Sequence, residues 1–122
     1  MVYRIAGLWW FNYTTADYGK PFVGEFTVAD GKVMGSTLDC HGPATIEGSM
    51  EDHSVLNFTK TYDPLANKGG AKFPLLYRLT NIGDGWSGCF SYSQGEVLSE
   101  GPHGKVICVL IQHPHAFKGS SE

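Results

Sequence analysis

The chain has 122 residues, 42% of them apolar and 17% charged, so a folded domain with one hydrophobic core is expected rather than a disordered chain. Its formal net charge of −3 argues against a nucleic-acid partner, because phosphate binding requires a clustered Lys/Arg surface. The longest apolar stretch near the start, residues 5–11, is too short to cross a bilayer and lacks the features of a signal peptide. We therefore expect a cytoplasmic protein with neither a membrane nor a nucleic-acid partner.

Residues 5–13 form the first predicted strand, and residues 22–38 then carry the clearest local pattern in the chain. Within that second segment, aromatic and aliphatic residues alternate with other types at the period of a β-strand. Asp30-Gly31 in its middle is the strongest two-residue hairpin signal, because both turn positions require a positive φ. A two-residue turn places Phe26 opposite Gly35, where an aromatic ring covers the exposed backbone of a curved sheet.

The rest of the chain repeats this pattern of short strands separated by turns. Clusters of Gly, Pro, Asp and Ser predict turns or loops at residues 39–43, 51–54, 63–72, 83–85 and 95–104. Alternating apolar residues between them predict strands over 45–50, 55–62, 75–82 and 86–93, and the last strand, 106–111, is almost wholly apolar. No segment has a convincing helical period.

About eight strands joined by short connections predict an all-β, antiparallel up-and-down meander. Such a meander hides its edge strands by closing into a barrel, and we favour the barrel over an open sandwich. Glycines inside the predicted strands support closure, because they permit the bends that a barrel needs; they are Gly24, Gly35, Gly48 and Gly88. We assign residues 1–113 to one barrel domain and residues 114–122 to a flexible C-terminal tail.

The first strand carries Gly7-Leu8-Trp9, which has the G-x-W form found near the N-terminus of lipocalins and related calycin barrels. The following Trp10-Phe11-Asn12 is similar to the first strand of avidins, although their Asn usually lies one residue closer to the Trp. The chain thus resembles a calycin-like (lipocalin/avidin-like) barrel. That resemblance implies the fold, and by analogy an internal cavity for a ligand. A lipocalin middle motif, a helix after the last strand and the biotin-binding residues of avidins have no counterparts in the sequence.

The fifth predicted strand places Lys60 between Phe58 and Tyr62 on its bulkier face. A lysine on the inner wall of a barrel is costly unless it is paired, and it is suited to anchoring an anionic or carbonyl-bearing ligand. Alternatively, Lys60 lies near a rim with its ammonium group in water. Tyr77 on the next strand adds a hydroxyl. The residues that we predict to bind a ligand are Lys60, Tyr62, Tyr77, Trp86, Phe26 and Phe90.

Metal or cofactor chemistry is not expected from the sequence. The sequence has five histidines, His41, His53, His103, His113 and His115. Four of them fall in turns, loops or the tail, and none has the spacing of a structural zinc site. Three cysteines, Cys40, Cys89 and Cys108, are an odd number without metal-type spacing, and we expect them to be reduced thiols. We predict no metal, no cofactor and no catalytic residue. The neighbouring Asp39, Cys40 and His41 are explained by a turn.

Three functions are compatible with such a barrel. The first is a non-enzymatic barrel that binds a small, largely apolar or anionic molecule in its interior. The second is a packed structural or interaction module that forms a homo-oligomer through part of the surplus apolar surface of residues 106–111 or of Trp9-Trp10-Phe11. The third, by analogy with calycin-like barrels, is an isomerase or cyclase that uses Tyr77, Lys60 and Asn57. An inward Lys60 favours the first function and an outward Lys60 the second.

Overall fold

The computed structural model describes residues 1–11, 19–92 and 104–113, and these contain eight β-strands. The strands are β1 (Val2–Phe11), β2 (Lys20–Ala29), β3 (Lys32–Asp39), β4 (Gly42–Glu51), β5 (Val55–Tyr62), β6 (Leu75–Asn81), β7 (Trp86–Tyr92) and β8 (Gly104–His113). Each strand pairs antiparallel with the next, and β8 pairs with β1 to close the barrel. The predicted all-β fold, a single up-and-down meander closed into a barrel, is confirmed. Within the described stretches, no helix is long and apolar enough to span a bilayer.

The β2–β3 hairpin has the register that the sequence predicts. Asp30 and Gly31 form its two-residue turn with φ values of 52° and 78°, and Phe26 lies opposite Gly35. A Cβ atom added to Gly35 would lie 2.1 Å from the carbonyl oxygen of Glu25, so the close approach of the two strands requires glycine there. Strand curvature at this pair therefore depends on a residue without a side chain.

The β3–β4 connection is tighter than the sequence predicts. Only Cys40 and His41 lie between the two strands, because Asp39 already pairs with Gly42. Gly42 has a φ of 116°, which favours glycine, and the Asp39 carboxylate accepts a hydrogen bond from the backbone N–H of His41. As a result β4 begins three residues earlier than predicted, and Asp39 belongs to the barrel wall rather than to a loop.

The two ends of the barrel differ. At the end that we call the base, the turns at 30–31, 52–54 and 82–85 surround a packed interior in which Tyr3 stacks on Phe26 at 5.2 Å. The opposite end, which we call the mouth, is formed by the Cys40–His41 turn and the β5–β6 loop. The strand ends at 11, 20, 92 and 104 lie there too. The most deeply buried side chains between the two ends are Phe26, Ile5, Leu56, Leu79, Val33 and Val106.

Candidate ligand-binding site

A pocket of about 430 Å³ opens at the mouth of the barrel. Barrel strands contribute aromatic rings to its walls, and the β5–β6 loop contributes one side of its rim. Its lining residues are Trp9, Phe11, Lys20, His41, Tyr62, Gly69, Gly70, Ala71, Phe73, Leu75, Tyr77, Phe90 and Tyr92. Its volume lies within the range of small-molecule sites, which are typically concave and mainly apolar.

Lys60 points into the barrel beneath this pocket, with its side chain only 3% exposed. Its Nζ donates a hydrogen bond of 2.7 Å to Oδ2 of Asp39, whose side chain is fully buried. The Tyr62 hydroxyl donates to the same oxygen at 2.6 Å. Lys60 is thus paired inside the barrel. The alternative in which Lys60 lies near a rim with its ammonium group in water is excluded.

Asp39 is the residue of this cluster that the sequence analysis missed as part of the site. The sequence places it in a turn because Asp-Cys-His-Gly-Pro is a strong turn signal. The signal that locates it is the alternation of β3, which puts Val33, Thr37 and Asp39 on one face; Val33 and Thr37 are buried. A lysine expected on the inner wall also demands a carboxylate partner.

Opposing physical effects set the pKa values of the pair. Burial alone would raise the pKa of Asp39, but the hydrogen bonds from Lys60 and Tyr62 outweigh it and hold this pKa below its ordinary value. Burial lowers the pKa of the Lys60 ammonium, and the hydrogen bond and charge of Asp39 oppose that change. The Asp39 carboxylate also accepts the His41 backbone N–H at 2.8 Å, so both of its oxygens are used.

Tyr77 lies between the charge cluster and the pocket. Its ring stacks on Phe58 at 4.8 Å and on Phe90 at 5.4 Å, and its hydroxyl oxygen accepts a hydrogen bond of 3.4 Å from Lys60. Burial raises the pKa of Tyr77, so the hydroxyl keeps its proton. That proton has no acceptor among the described residues. Tyr77 therefore presents a free donor at the bottom of an aromatic pocket.

A second buried donor belongs to Trp9, another residue of the pocket wall. Its indole is 7% exposed, and its Nε1–H has no hydrogen-bond partner in the described part of the chain. The Trp9 ring lies edge-on to Phe90 at 5.9 Å and tilted against His41 at 5.8 Å. An unpaired buried donor costs free energy, so the Trp9 indole lowers the stability of the barrel by leaving this group unsatisfied.

The rim formed by the β5–β6 loop is held by hydrogen bonds to the β3–β4 turn. The backbone N–H of Lys68 donates to the His41 carbonyl at 2.8 Å, and His41 Nδ1 lies 2.9 Å from the Lys68 carbonyl. Since a carbonyl oxygen only accepts, Nδ1 carries a proton in this contact. The Asn67 side chain bonds both Gly70 and the Ala71 carbonyl, which orders the turn beside the pocket.

The structure brings together half of the residues that the sequence predicts for ligand binding. Tyr62, Tyr77 and Phe90 line the pocket, whereas Lys60 lies below it with its charge matched by Asp39. Phe26 and Trp86 do not line this pocket. They are buried toward the base, where Phe26 stacks on Tyr3 and Trp86 contacts His53 edge-on at 5.5 Å.

Residues considered for catalysis or metal binding are dispersed. Asn57 lies on the outer wall, where its side-chain oxygen accepts a hydrogen bond from Arg78, away from Lys60. No group of three His, Cys, Asp or Glu side chains able to hold a metal ion occurs in residues 1–11, 19–92 and 104–113. The predictions on His103, His115, residues 95–103 of the predicted loop, the His113 side chain and the tail at 114–122 fall outside the described residues, whereas Gly104 begins β8.

Comparison of the chain with protein-family models, curated proteins and solved structures yields no significant match.

Proposed function

We propose that this protein is a calycin-like, non-enzymatic barrel that binds a small, largely apolar and uncharged molecule in the mouth pocket. The observation that carries the proposal is an aromatic-lined pocket of about 430 Å³ above a buried charge cluster that is already paired. A pocket of this size suits a ligand on the order of 20 non-hydrogen atoms. Rings of Trp9, Tyr77 and Phe90 offer flat apolar surface on which an aromatic or polyene body packs.

The charge distribution favours an uncharged ligand over an anion. Asp39 neutralises Lys60 at 2.7 Å, and an anion placed deep beside Tyr62 would approach the Asp39 carboxylate. The cation that lines the pocket is Lys20, an exposed residue, so an anionic group would be matched only at the rim. The buried polar group of the ligand is then a neutral acceptor, such as a carbonyl oxygen, that accepts a hydrogen bond from the Tyr77 hydroxyl.

Two fluorescent probes of different charge test the proposal. Nile red is neutral and carries a carbonyl group, whereas 8-anilinonaphthalene-1-sulfonate carries a sulfonate. Fluorescence titrations of the purified protein are expected to show saturable binding of Nile red with at least tenfold higher affinity than the sulfonate. Tighter binding of the sulfonate would contradict an uncharged ligand, and binding of neither probe would contradict a binding pocket. Native mass spectrometry of gently purified protein reports any molecule that is already bound.

A matched pair of Ala→Trp variants locates the binding. Ala71 lines the rim of the pocket, and Ala29 is exposed at the base end of β2. An indole at position 71 fills the mouth, so Ala71→Trp should abolish saturable Nile red binding, whereas Ala29→Trp should leave it unchanged. Equal effects of the two variants would place the bound dye elsewhere.

The Tyr77 donor is tested by removing only its hydroxyl. Tyr77→Phe is expected to weaken Nile red binding by about tenfold, which corresponds to one lost hydrogen bond. Tyr3→Phe is the control, because Tyr3 is a buried tyrosine at the base and does not line the pocket. An unchanged affinity in Tyr77→Phe would remove the carbonyl contact from the proposal while leaving the apolar pocket intact.

A further inference from the structure

The outer wall of the barrel has two chemically different halves. On β5, β6 and β7 the outward positions are mostly polar: Asn57, Thr59, Thr61, Arg78, Thr80, Ser87 and Ser91. On β8, β1, β2 and β3 several outward positions are instead apolar and well exposed. Val109 is 45% exposed, Ile111 59%, Val23 54% and Leu38 53%. The inner face alone forms the core, so packing inside the barrel does not account for this apolar half.

The exposed apolar residues are neighbours across the sheet. Ala6 pairs with Val109 on one side and with Val23 on the other, and Val23 pairs in turn with Leu38. A second row runs beside it from Ile107 through Leu8 to Pro21. We call these two rows together with Ile111 the apolar wall. Its five most exposed members present on the order of 450 Å² of apolar surface, within the range of the largest patches on monomers, which are often functional.

The apolar wall contains both a ridge and a depression. Ile107, Val109 and Ile111 project side by side from β8 and form the ridge. Next to it, a shallow groove of about 600 Å³ is lined by Ala6, Val23 and Leu38 among others. A face with a ridge beside a groove is suited to pairing with an identical face turned by a two-fold rotation.

Two opposite charges border the groove. Arg4 on β1 and Glu25 on β2 are cross-strand partners, with Nε and Oε2 3.8 Å apart, and both side chains remain more than half exposed. A two-fold axis that lies along the surface and crosses the line joining these two residues at a right angle, midway between them, would bring the Arg4 of one copy toward the Glu25 of the other. In that arrangement the charges bordering the groove in one copy face opposite charges in the second copy.

We propose that the apolar wall is the contact surface between two copies of this chain in a two-fold symmetric dimer. The apolar area and the Arg4–Glu25 border together approach the roughly 800 Å² per partner that a stable interface needs. Of the two apolar segments considered for an interface, the proposal uses β8, because Trp9 in the other segment is buried and lines the pocket. The dimer uses the outside of the barrel and does not depend on ligand binding.

Sedimentation velocity over a concentration series is the test. The wild-type chain should change from monomer to dimer as its concentration rises to roughly 0.5 mM. Val109→Lys should weaken the dimer at least about tenfold, because it places a charge in the middle of the apolar ridge of β8. Thr59→Lys is the matched control on the polar half and should leave the dimer unchanged. Circular dichroism of each variant establishes that the barrel is folded.

Charge reversal supplies a readout that does not depend on apolar packing. Arg4→Glu leaves two acidic residues at the border, and Glu25→Arg leaves two basic ones, so each variant alone should dimerise weakly. Mixed in equal amounts, the two variants should form a heterodimer because every border contact then joins opposite charges. A wild-type monomer throughout the series, equal effects of the two lysine variants, or no heterodimer in the mixture would overturn the proposal.

Discussion

Asp39 and Lys60 form a direct ion pair inside the barrel, 2.7 Å between Oδ2 and Nζ, with side-chain exposures of 0% and 3%. The two residues belong to strands that are not neighbours in the sheet, β3 and β5, so the pair bridges the interior across β4. Tyr62 shares the same carboxylate oxygen. The cluster thus forms a neutral but strongly polar floor below an aromatic pocket.

A double-mutant cycle should show that the two charges depend on each other. Asp39→Asn leaves the Lys60 ammonium buried without a counter-charge, and Lys60→Met leaves the carboxylate without one. Each single change should lower the free energy of unfolding by about 3–5 kcal/mol. The double variant should lose clearly less than the sum of the single losses, because it leaves no isolated charge. Urea unfolding followed by tryptophan fluorescence measures all four proteins.

The matched control for this cycle is the exposed Arg4–Glu25 pair, whose side chains are 65% and 57% exposed. Removing either member should change the unfolding free energy of the monomer by no more than about 1 kcal/mol. Strict additivity at Asp39 and Lys60 would show that the two groups do not interact energetically.

Stability should fall at acid pH as the Asp39 carboxylate is protonated. The pKa of Asp39 is lower in the folded protein than its ordinary value of 3.8, so the unfolded chain takes up this proton first. The stabilisation is fully present above that ordinary value and is lost as the pH falls through the folded-state pKa.

Urea unfolding at a series of acid pH values measures this loss. The Asp39→Asn/Lys60→Met variant lacks both titrating groups, so its stability should depend less steeply on pH below about pH 4. Parallel pH profiles of the two proteins would assign the acid sensitivity to other carboxylates.

The barrel is predictable from sequence because its signals are local. Alternation along each strand identifies the inner face, and Asp30-Gly31 sets the register that pairs Phe26 with Gly35. The same alternation turns Lys60 inward. These features depend on residues near one another in the chain, so a single sequence contains them.

The mouth pocket is less predictable because it forms from segments far apart in the chain. His41 and the loop residues Gly69–Gly70 reach the pocket only after β3, β4 and β5 have paired. Asp39 was not predicted to belong to the site because the turn signal of residues 39–43 outweighs the strand alternation. That alternation is what places Asp39 on the inner face of β3. Closure of the barrel decides which residues meet at its mouth, and no local pattern carries that information.

The hairpin should not tolerate a side chain at Gly35. An added Cβ atom would lie 2.1 Å from the Glu25 carbonyl oxygen and 2.5 Å from the Phe26 Cα atom. Both contacts are with backbone atoms, so a change of side-chain rotamer cannot relieve them. Gly35→Ala should therefore lower the free energy of unfolding by about 2–3 kcal/mol or more.

The matched substitution is Gly85→Ala, where the nearest heavy atom to an added Cβ is 3.1 Å away. It should change stability by less than about 1 kcal/mol. Thermal and urea unfolding of the two variants measure these changes. Equal losses of unfolding free energy would mean that chain entropy, rather than the close approach of the strands, determines the effect of Gly35→Ala.

Two of the three cysteines, Cys40 and Cys108, should differ sharply in reactivity. Cys40 is exposed in the β3–β4 turn, whereas Cys108 is 6% exposed on β8, and burial raises its pKa to about 12. Because the thiolate is the reactive form, a rise of the pKa from 9.0 leaves about a thousandfold less of it at neutral pH, in addition to the steric protection. Brief labelling with N-ethylmaleimide, followed by peptide mass spectrometry, should modify Cys40 within seconds to minutes and leave Cys108 unmodified until the chain is unfolded. The control is Cys40→Ser, which should remove the fast reaction. If native Cys108 is labelled as fast as Cys40, β8 separates from its neighbours far more often than a closed barrel allows, which would contradict the prediction.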